Sequence, residues 1–443
     1  MTGVASVPVS RARLIVSSGV TFAALSLFPK ALAIAKDMAV AARFGAAQTL
    51  DTYLMAFVLI GIPVSVIAVS LQTALIPALV GKDGDGAGRL LGGALKLTLM
   101  LLALALPLWL LALPWALELM YPRAEPSARE QLFSACLWLL PYYFINGANW
   151  LFYGALQARK AFWPNALLPG LFPLAILACL WLMPAVDIRV LLAGTVAGSV
   201  CEGLALLLLL RRAGWLRLRN TAGAGLLKVA RLAAPLAAGG VITALAPVVE
   251  QLIAFRLGEG AVSLLNYGFK VPAALASLLV TAIGIVVLPH FAELIAQNAW
   301  RPCRALYLRL AGIAFVGGLA VTCVGVVFSE AIIRLLFERG AFTASHTVEA
   351  AAVMRMYLLQ LPFLLAAMVA IRALAALGKT ATMTTITAAQ VLIAGWLAYA
   401  LSERLGVAGV ALGTAAAAFA GAVMFGWAAW TSLNHRIIEA EGA

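Results

Sequence analysis

Apolar residues run along this chain in long blocks, and polar residues gather in the short gaps between them. Twelve such blocks fall near residues 15–36, 52–80, 90–117, 131–157, 164–184, 189–210, 232–255, 262–292, 305–328, 348–377, 382–401 and 406–431. Each is close to or above the roughly 20 residues that an α-helix needs to cross a bilayer. None shows the ~10-residue alternation of a membrane β-barrel strand. The pattern therefore predicts an all-α polytopic membrane protein with twelve transmembrane helices. The first block is long and ends on the charged pair Lys36 and Asp37, so it reads as a retained helix rather than a cleaved signal peptide.

Composition agrees with that reading. Of 443 residues, 64% are hydrophobic and only 11% are charged, and the mean hydropathy is +1.02. A soluble domain carries about 25% charged residues. The net charge of +13 is explained by where the basic residues fall. With the amino terminus placed in the cytoplasm, one side receives Arg11, Arg13, Arg159, Lys160, Arg211, Arg212, Arg217, Arg219, Lys228, Arg231, Arg301, Arg304 and Lys379. The other side receives fewer, many beside an acid, as with Arg189 and Asp187 or Arg339 and Glu338. The positive-inside bias thus predicts that both termini are cytoplasmic. It also removes the main reason to suspect nucleic acid as a partner.

The chain reads as two copies of one plan. Asp37 precedes Arg43-Phe44-Gly45 by six residues, and Glu250 precedes Arg256-Leu257-Gly258 by the same interval. Pro63 and Pro77 in one half parallel Pro272 and Pro289 in the other, and Leu140-Pro141 parallels Leu361-Pro362. ELMYP (Glu118 to Pro122) likewise parallels RLLFE (Arg334 to Glu338). The basic stretch RRAGWLRLRN, Arg211 to Asn220, lies midway and reads as a linker on the inner leaflet. The expected domains are 1–220 and 221–443, two pseudo-symmetric six-helix lobes around a central cavity. Six spans per copy make the repeats parallel, an arrangement that transporters use.

Candidate chemistry is sparse. Cys136, Cys179, Cys201, Cys303 and Cys323 are scattered and lack metal-site spacing, and His290, His346 and His435 stand at span ends. No phosphate-binding nucleotide loop is present, and no large acidic outer loop of a membrane glycosyltransferase. An enzyme is not expected, nor a metal or cofactor. Ionisable groups inside spans are costly and are by default functional candidates. Lys30, Lys270 and Glu250 lie inside apolar blocks, with Lys36 and Asp37 at a block's edge. Glu202, Lys96, Arg355 and Arg372 read as interlobe pairs or snorkelling residues.

LLFERGAFTA, Leu335 to Ala344, interrupts two apolar blocks with Glu338, Arg339 and Gly340. Read physically, Gly340 suits a helix C-cap, and Thr343 or Ser345 suits the next N-cap. Its wording resembles the outer loop of the MurJ family, lipid II flippases of the MATE-like superfamily. KALAIAKDMAVAARFGAAQTLDTYLMAF (Lys30 to Phe57) and RLGEGAVSLLNYGFKVPAALASLLVTAIGIVVLP (Arg256 to Pro289) resemble the same family. The resemblance implies movement of an undecaprenyl-diphosphate-linked sugar from the inner to the outer leaflet of a bacterial inner membrane, by a protein working as a monomer. It implies a head-group site at Lys30, Lys36, Lys270 and Asp51, and an ion-coupling candidate at Glu250. Coupling would come from membrane potential, Na+ or H+.

The family commonly has arginine where this chain has Lys30, Lys36 and Lys270, and lysine lacks arginine's bidentate grip on phosphate. Its basic residues early in helix 2 have no counterpart in GIPVSVIAVSLQ, and it usually has fourteen helices. An exopolysaccharide- or O-antigen-type flippase therefore stays open as an alternative. A cation-coupled antiporter of the superfamily is a weaker one, since it would favour acidic cavity residues.

Overall fold

The computed structural model describes residues 9–82, 84–120, 126–183, 186–215 and 224–441. Tyr121 to Glu125 and the linker residues Leu216 to Asn220 lie outside the described residues. Among the described residues the chain is helical, with short turns and no strand. The first half contains α1 (Val9–Phe44), α2 (Gln48–Leu79), α3 (Gly84–Met120), α4 (Pro126–Trp138), α5 (Leu140–Ala158), α6 (Trp163–Leu167), α7 (Leu171–Leu182) and α8 (Ile188–Arg212). The second contains α9 (Ala224–Phe255), α10 (Ala261–Ala296), α11 (Trp300–Phe337), α12 (Ala344–Leu358), α13 (Leu361–Ala376), α14 (Thr380–Leu405) and α15 (Val407–Glu441).

All twelve expected blocks fall on these helices. Among the described residues, ten stretches are long and apolar enough to span a membrane by length and composition, and α1 and the α4–α5 pair carry the remaining two blocks. Three blocks are broken helices. The break between α4 and α5 and the break between α12 and α13 each place a proline, Pro141 or Pro362, in the first turn of the new helix. There the missing N–H costs nothing, because first-turn donors have no intrahelical partner. The repeated Leu-Pro pairs are therefore repeated helix restarts. The third break, between α6 and α7, is a 3₁₀ turn over Leu168–Gly170.

Helix α11 sets the membrane scale. Arg309 and Glu330 bracket an uncharged run of 20 residues within it. At 1.5 Å per residue that run is about 30 Å long, matching a bilayer's hydrocarbon thickness of about 30 Å. LLFERGAFTA thus begins just past one edge of the hydrocarbon. On α3, Met100, Leu104, Leu108, Leu111 and Trp115 are all exposed and recur at three- and four-residue spacing, which makes one apolar stripe. Lipid is the solvent that suits such a stripe.

The chain forms two compact units. Unit 1 is Met1–Val40 with Ala56–Gly240, and unit 2 is Ala41–Met55 with Val241–Ala443. Unit 1 is centred on Leu75, Leu91, Leu151, Leu206 and Leu210, from α2, α3, α5 and α8. Trp215 joins this core, and the Arg159 guanidinium stacks 5.1 Å from its ring, so the linker's first residues are anchored. Unit 2 has one cluster around Phe291, Leu374, Phe425 and Leu433, and another around Ile253, Leu265, Tyr357 and Val410.

Each unit uses glycine pairs four residues apart to bring two helices together. On α8, Gly194 and Gly198 face Ile176 and Phe172 of α7, where a Cβ would come within 2.8 Å and 2.9 Å. On α15, Gly409 and Gly413 face the backbone of Leu401, Leu397 and Ala398 on α14 at contact too close for any Cβ. Small residues matter because lipid supplies no hydrophobic force between helices, so close packing must hold them. Gly413→Leu should therefore wedge α14 from α15 at a cost of about 1–3 kcal/mol. Gly312→Ala, at a helical glycine with nothing near the absent Cβ, should be neutral or stabilising by about 0.5–1 kcal/mol. Melting of both variants in detergent, followed by monodispersity, checks this pair; equal melting would refute the packing role.

Candidate functional site

Three connections of unit 2 meet at one end of its helices: the turn from α1 to α2, the loop from α9 to α10 and the loop from α11 to α12. Both α1 and α9 are followed by glycines with positive φ, Gly45 at 58° and Gly258 at 122°. These are the paired glycines of the repeated Arg-x-Gly motif. Glycine, having no Cβ, takes such φ values without steric cost, so the motif ends both helices for the same reason.

Asp51 lies in the first turn of α2, 1% exposed. Its Oδ2 accepts the Gly260 N–H at 2.7 Å, and its Oδ1 accepts the Ser263 N–H at 2.7 Å and the Ser263 hydroxyl at 2.5 Å. Gly260 and Ser263 open α10, so the carboxylate sits on unsatisfied donors at the positive end of a helix. The reverse contact also exists: Glu259 Oε1 accepts the Gln48 N–H that opens α2, at 3.3 Å. Each helix start is thus held by an acid belonging to the other. In this conformation the Asp51 oxygens are occupied by α10 and do not face open space.

The loop LLFERGAFTA closes on the same place. Ala341 N–H donates to the Ala42 carbonyl at 2.7 Å. Gly340 (φ 58°) has the Ala42 carbonyl where a side chain would begin, and Gly45 has the Ala341 carbonyl there. Two backbones interlock, and only glycine permits it. Phe342, 1% exposed, packs against Tyr267 at 5.1 Å and Phe337 at 6.1 Å. The C-cap of α11 is Glu338 rather than Gly340, which stands two residues further on. Glu338 accepts the Thr347 hydroxyl at 2.8 Å and pairs with Arg334 at 3.3 Å, while Arg339 turns back to the Leu335 carbonyl. Thr343, not Ser345, caps α12, in a capping box with His346.

The expected basic residues divide between the units. In unit 1, Lys30 is exposed on α1 and Lys36 Nζ pairs with Asp37 Oδ1 at 2.7 Å. Six residues apart, Lys30 and Lys36 point to different faces of the helix. In unit 2, Lys270 is half-buried on α10, two turns after Ser263. Glu250, on α9, accepts the Tyr357 hydroxyl at 2.8 Å and the Thr414 hydroxyl at 2.9 Å. It therefore joins α9, α12 and α15 through neutral donors. Glu202, expected as an interlobe or snorkelling residue, is instead bonded within unit 1 to Tyr153.

Sequence reasoning did not find Ser263, Gly260, Tyr357 or Thr414. A hydroxyl such as Thr414 in an otherwise alanine-rich block was the available signal. Among the described residues no group of His, Cys, Asp and Glu is arranged to hold a metal, and the five cysteines are free.

The sequence pattern of the MurJ lipid II flippases matches residues 40–440. The chain is 23% identical over 436 residues to the probable lipid II flippase MurJ of Synechocystis sp., covering 93% of this chain and 80% of that one. A probable lipid II flippase MurJ of Rhizobium tropici is 31% identical over 198 residues, 43% of this chain and 36% of its own. Among solved structures, a lipid II flippase MurJ in an inward closed conformation gives a TM-score of 0.76 at 19% identity, covering 92% of this chain and 87% of that chain. An inward-facing MATE multidrug transporter gives 0.75 at 17% identity, covering 92% and 95%. At these identities the structures speak for the fold, whereas the family pattern runs through both units. The chain therefore belongs to the MurJ lipid II flippase family, multi-pass transporters of the bacterial inner membrane that serve peptidoglycan biosynthesis and are not enzymes.

Proposed function

We propose that this protein carries lipid II from the inner to the outer leaflet by alternating access, as a monomer with both termini cytoplasmic. The observation that carries the reading is the family match across residues 40–440. A lipid diphosphate cannot cross hydrocarbon unaided, because its charges would lose their water. Lys30, Lys36 and Lys270 offset that loss by holding the head group through charge-assisted hydrogen bonds. The moving bodies are the expected lobes, 1–220 and 221–443, with 41–55 packed in the second compact unit and 221–240 in the first.

On this topology the Asp51 contacts lie at the outer end of α2 and α10. Opening that end requires Asp51 to leave Gly260 and Ser263, after which its carboxylate is free to meet a sugar hydroxyl. Hydrogen bonds to a charged group contribute about 1.5–3 kcal/mol each, so the latch resists opening until substrate or an ion offsets its loss. Glu250 is the coupling group. A Na+ or H+ bound there would compete with Tyr357 and Thr414 and so change the contact of α9 with α12 and α15. Membrane potential supplies about 2.3 kcal/mol per elementary charge per 100 mV.

Three outcomes test the reading in a strain depleted of its own flippase, with lipid II assayed by leaflet. Lys270→Ala should abolish flipping with the protein still in the membrane, and Lys270→Arg should retain most of it; equal loss in both would remove the charge role. Glu250→Gln should leave flipping insensitive to ion gradients, and normal gradient dependence in that variant would sink the coupling assignment. Asp51→Ala should raise outer-side accessibility of a cysteine placed at Ala261, buried beside the latch, by several-fold in labelling rate. Unchanged labelling would mean that Asp51 latches nothing.

A further inference from the structure

Helix α15 leaves the hydrocarbon level with the start of α11. On α11, Arg309 marks one edge of the uncharged run, and Arg304 lies five residues further out, about 7.5 Å along the axis. The Arg304 Nη1 donates to Asn434 Oδ1 of α15 at 2.7 Å. A headgroup layer is about 5–7 Å deep, so α15 crosses that layer near Asn434. Trp427 and Trp430, two turns and one turn earlier, are exposed, as indoles are where hydrocarbon meets water.

At this level a cavity of about 380 Å³ opens between the α13–α14 turn and α15. Lys379 lines it from the turn, and Ser432, His435, Arg436 and Glu439 line it from α15. Two permanent cations face one acid, so the lining is net positive. Arg436 stacks 5.8 Å from the Trp300 ring, which orients its guanidinium. Glu439 pairs with Arg436 at 3.3 Å and with His435 at 3.1 Å, but all three side chains are half or more exposed. Ion pairs so exposed are weak and exchange readily for another anion. Among the described residues the Lys379 ammonium and the Ser432 hydroxyl have no partner. Lys379 is also the N-cap of α14, which has no side-chain cap, so the positive end of that helix borders the cavity. The cavity is short of an anion at the depth where phospholipids carry theirs.

We propose that this cavity binds the phosphate of an anionic phospholipid in the leaflet that the end of α15 meets. Lys379 and Arg436 supply charge-assisted N–H donors, and Ser432 supplies a hydroxyl. Basic pockets between helices at a membrane surface hold lipid headgroups in this way. Trp427 lies on the same face of α15 as Thr431 and His435, at four-residue spacing, so the acyl chains descend past an exposed indole. The bound lipid ties the α13–α14 turn to α15. It is a resident of the site rather than a transported molecule.

Native mass spectrometry of the full chain in detergent tests this, with phosphatidylglycerol, phosphatidylcholine and inorganic phosphate as separate probes at equal concentration. No transported substrate is present, so the result stands whether or not lipid II is the cargo. Phosphatidylglycerol should be retained more tightly than phosphatidylcholine, and inorganic phosphate should not be retained. Lys379→Gln and Arg436→Gln should each weaken phosphatidylglycerol binding by about fivefold, the effect of one cation near anionic lipid. Lys82→Gln, which removes an exposed lysine of unit 1, should change nothing. Equal retention of the two lipids, wild-type affinity in either cavity variant, or an equal loss in Lys82→Gln overturns the proposal. Phosphate retained as well as the lipid would make this a site for soluble phosphate and overturn the lipid assignment. Should Arg436→Gln, which also uncovers Trp300, fail to fold, Lys379→Gln alone decides.

Discussion

The contact on which most of unit 2's loop end depends is one carboxylate placed on the first turn of a helix. A helix that starts near hydrocarbon has backbone donors that water cannot reliably reach, and every such donor needs a partner. Asp51 satisfies two of those donors on α10 and a serine hydroxyl besides. Once α2 is fixed against α10 in this way, the α1–α2 turn has little freedom. Ala42 is then presented to Ala341, and Gly260 can approach Ala46 with no side chain between them. The loop sequence that interrupts the apolar blocks is the surface that this arrangement requires.

Within the helices the problem is different, because lipid tails are as apolar as leucine and do not drive helices together. Each unit meets it with the same means. A glycine pair on its last complete helix admits a neighbour to backbone contact, and a proline-started helix breaks one span into two directions. Each unit also bonds a glutamate to a tyrosine hydroxyl, Glu202 with Tyr153 and Glu250 with Tyr357. A polar contact of this sort fixes which faces meet, which uniform apolar packing does not.

The architecture was largely legible in the sequence. Hydrophobic block length is a local property, so twelve blocks could be marked and all coincide with helices. The paired Arg-x-Gly and Leu-Pro motifs were legible for the same reason, because Gly45, Gly258, Pro141 and Pro362 act through their own backbone. The site was less so. That Glu250 matters can be read from a charge inside an apolar block, whereas Asp51, just ahead of its block, was singled out only through the family resemblance. Their partners cannot be read locally, since Ser263 is 212 residues from Asp51 and Thr414 is 164 residues from Glu250. Gly340 was expected to end α11, but Glu338 ends it, and the glycine serves a contact with a distant earlier segment, at Ala42, that no local pattern reveals.

Glycines with positive φ fall into two kinds in this chain. Gly45, Gly260 and Gly340 have a carbonyl of another segment against them, whereas Gly81, Gly258, Gly378 and Gly406 face nothing. The first kind carries a joint and the second only reverses the chain. That difference tells an engineer where the polypeptide can be opened. An epitope, a fluorescent reporter or a new pair of termini would be accommodated at Gly81 or Gly378, where the turn has no neighbour to displace. The same insertion at Gly340 would prise apart backbones that touch directly, and no choice of linker could spare them.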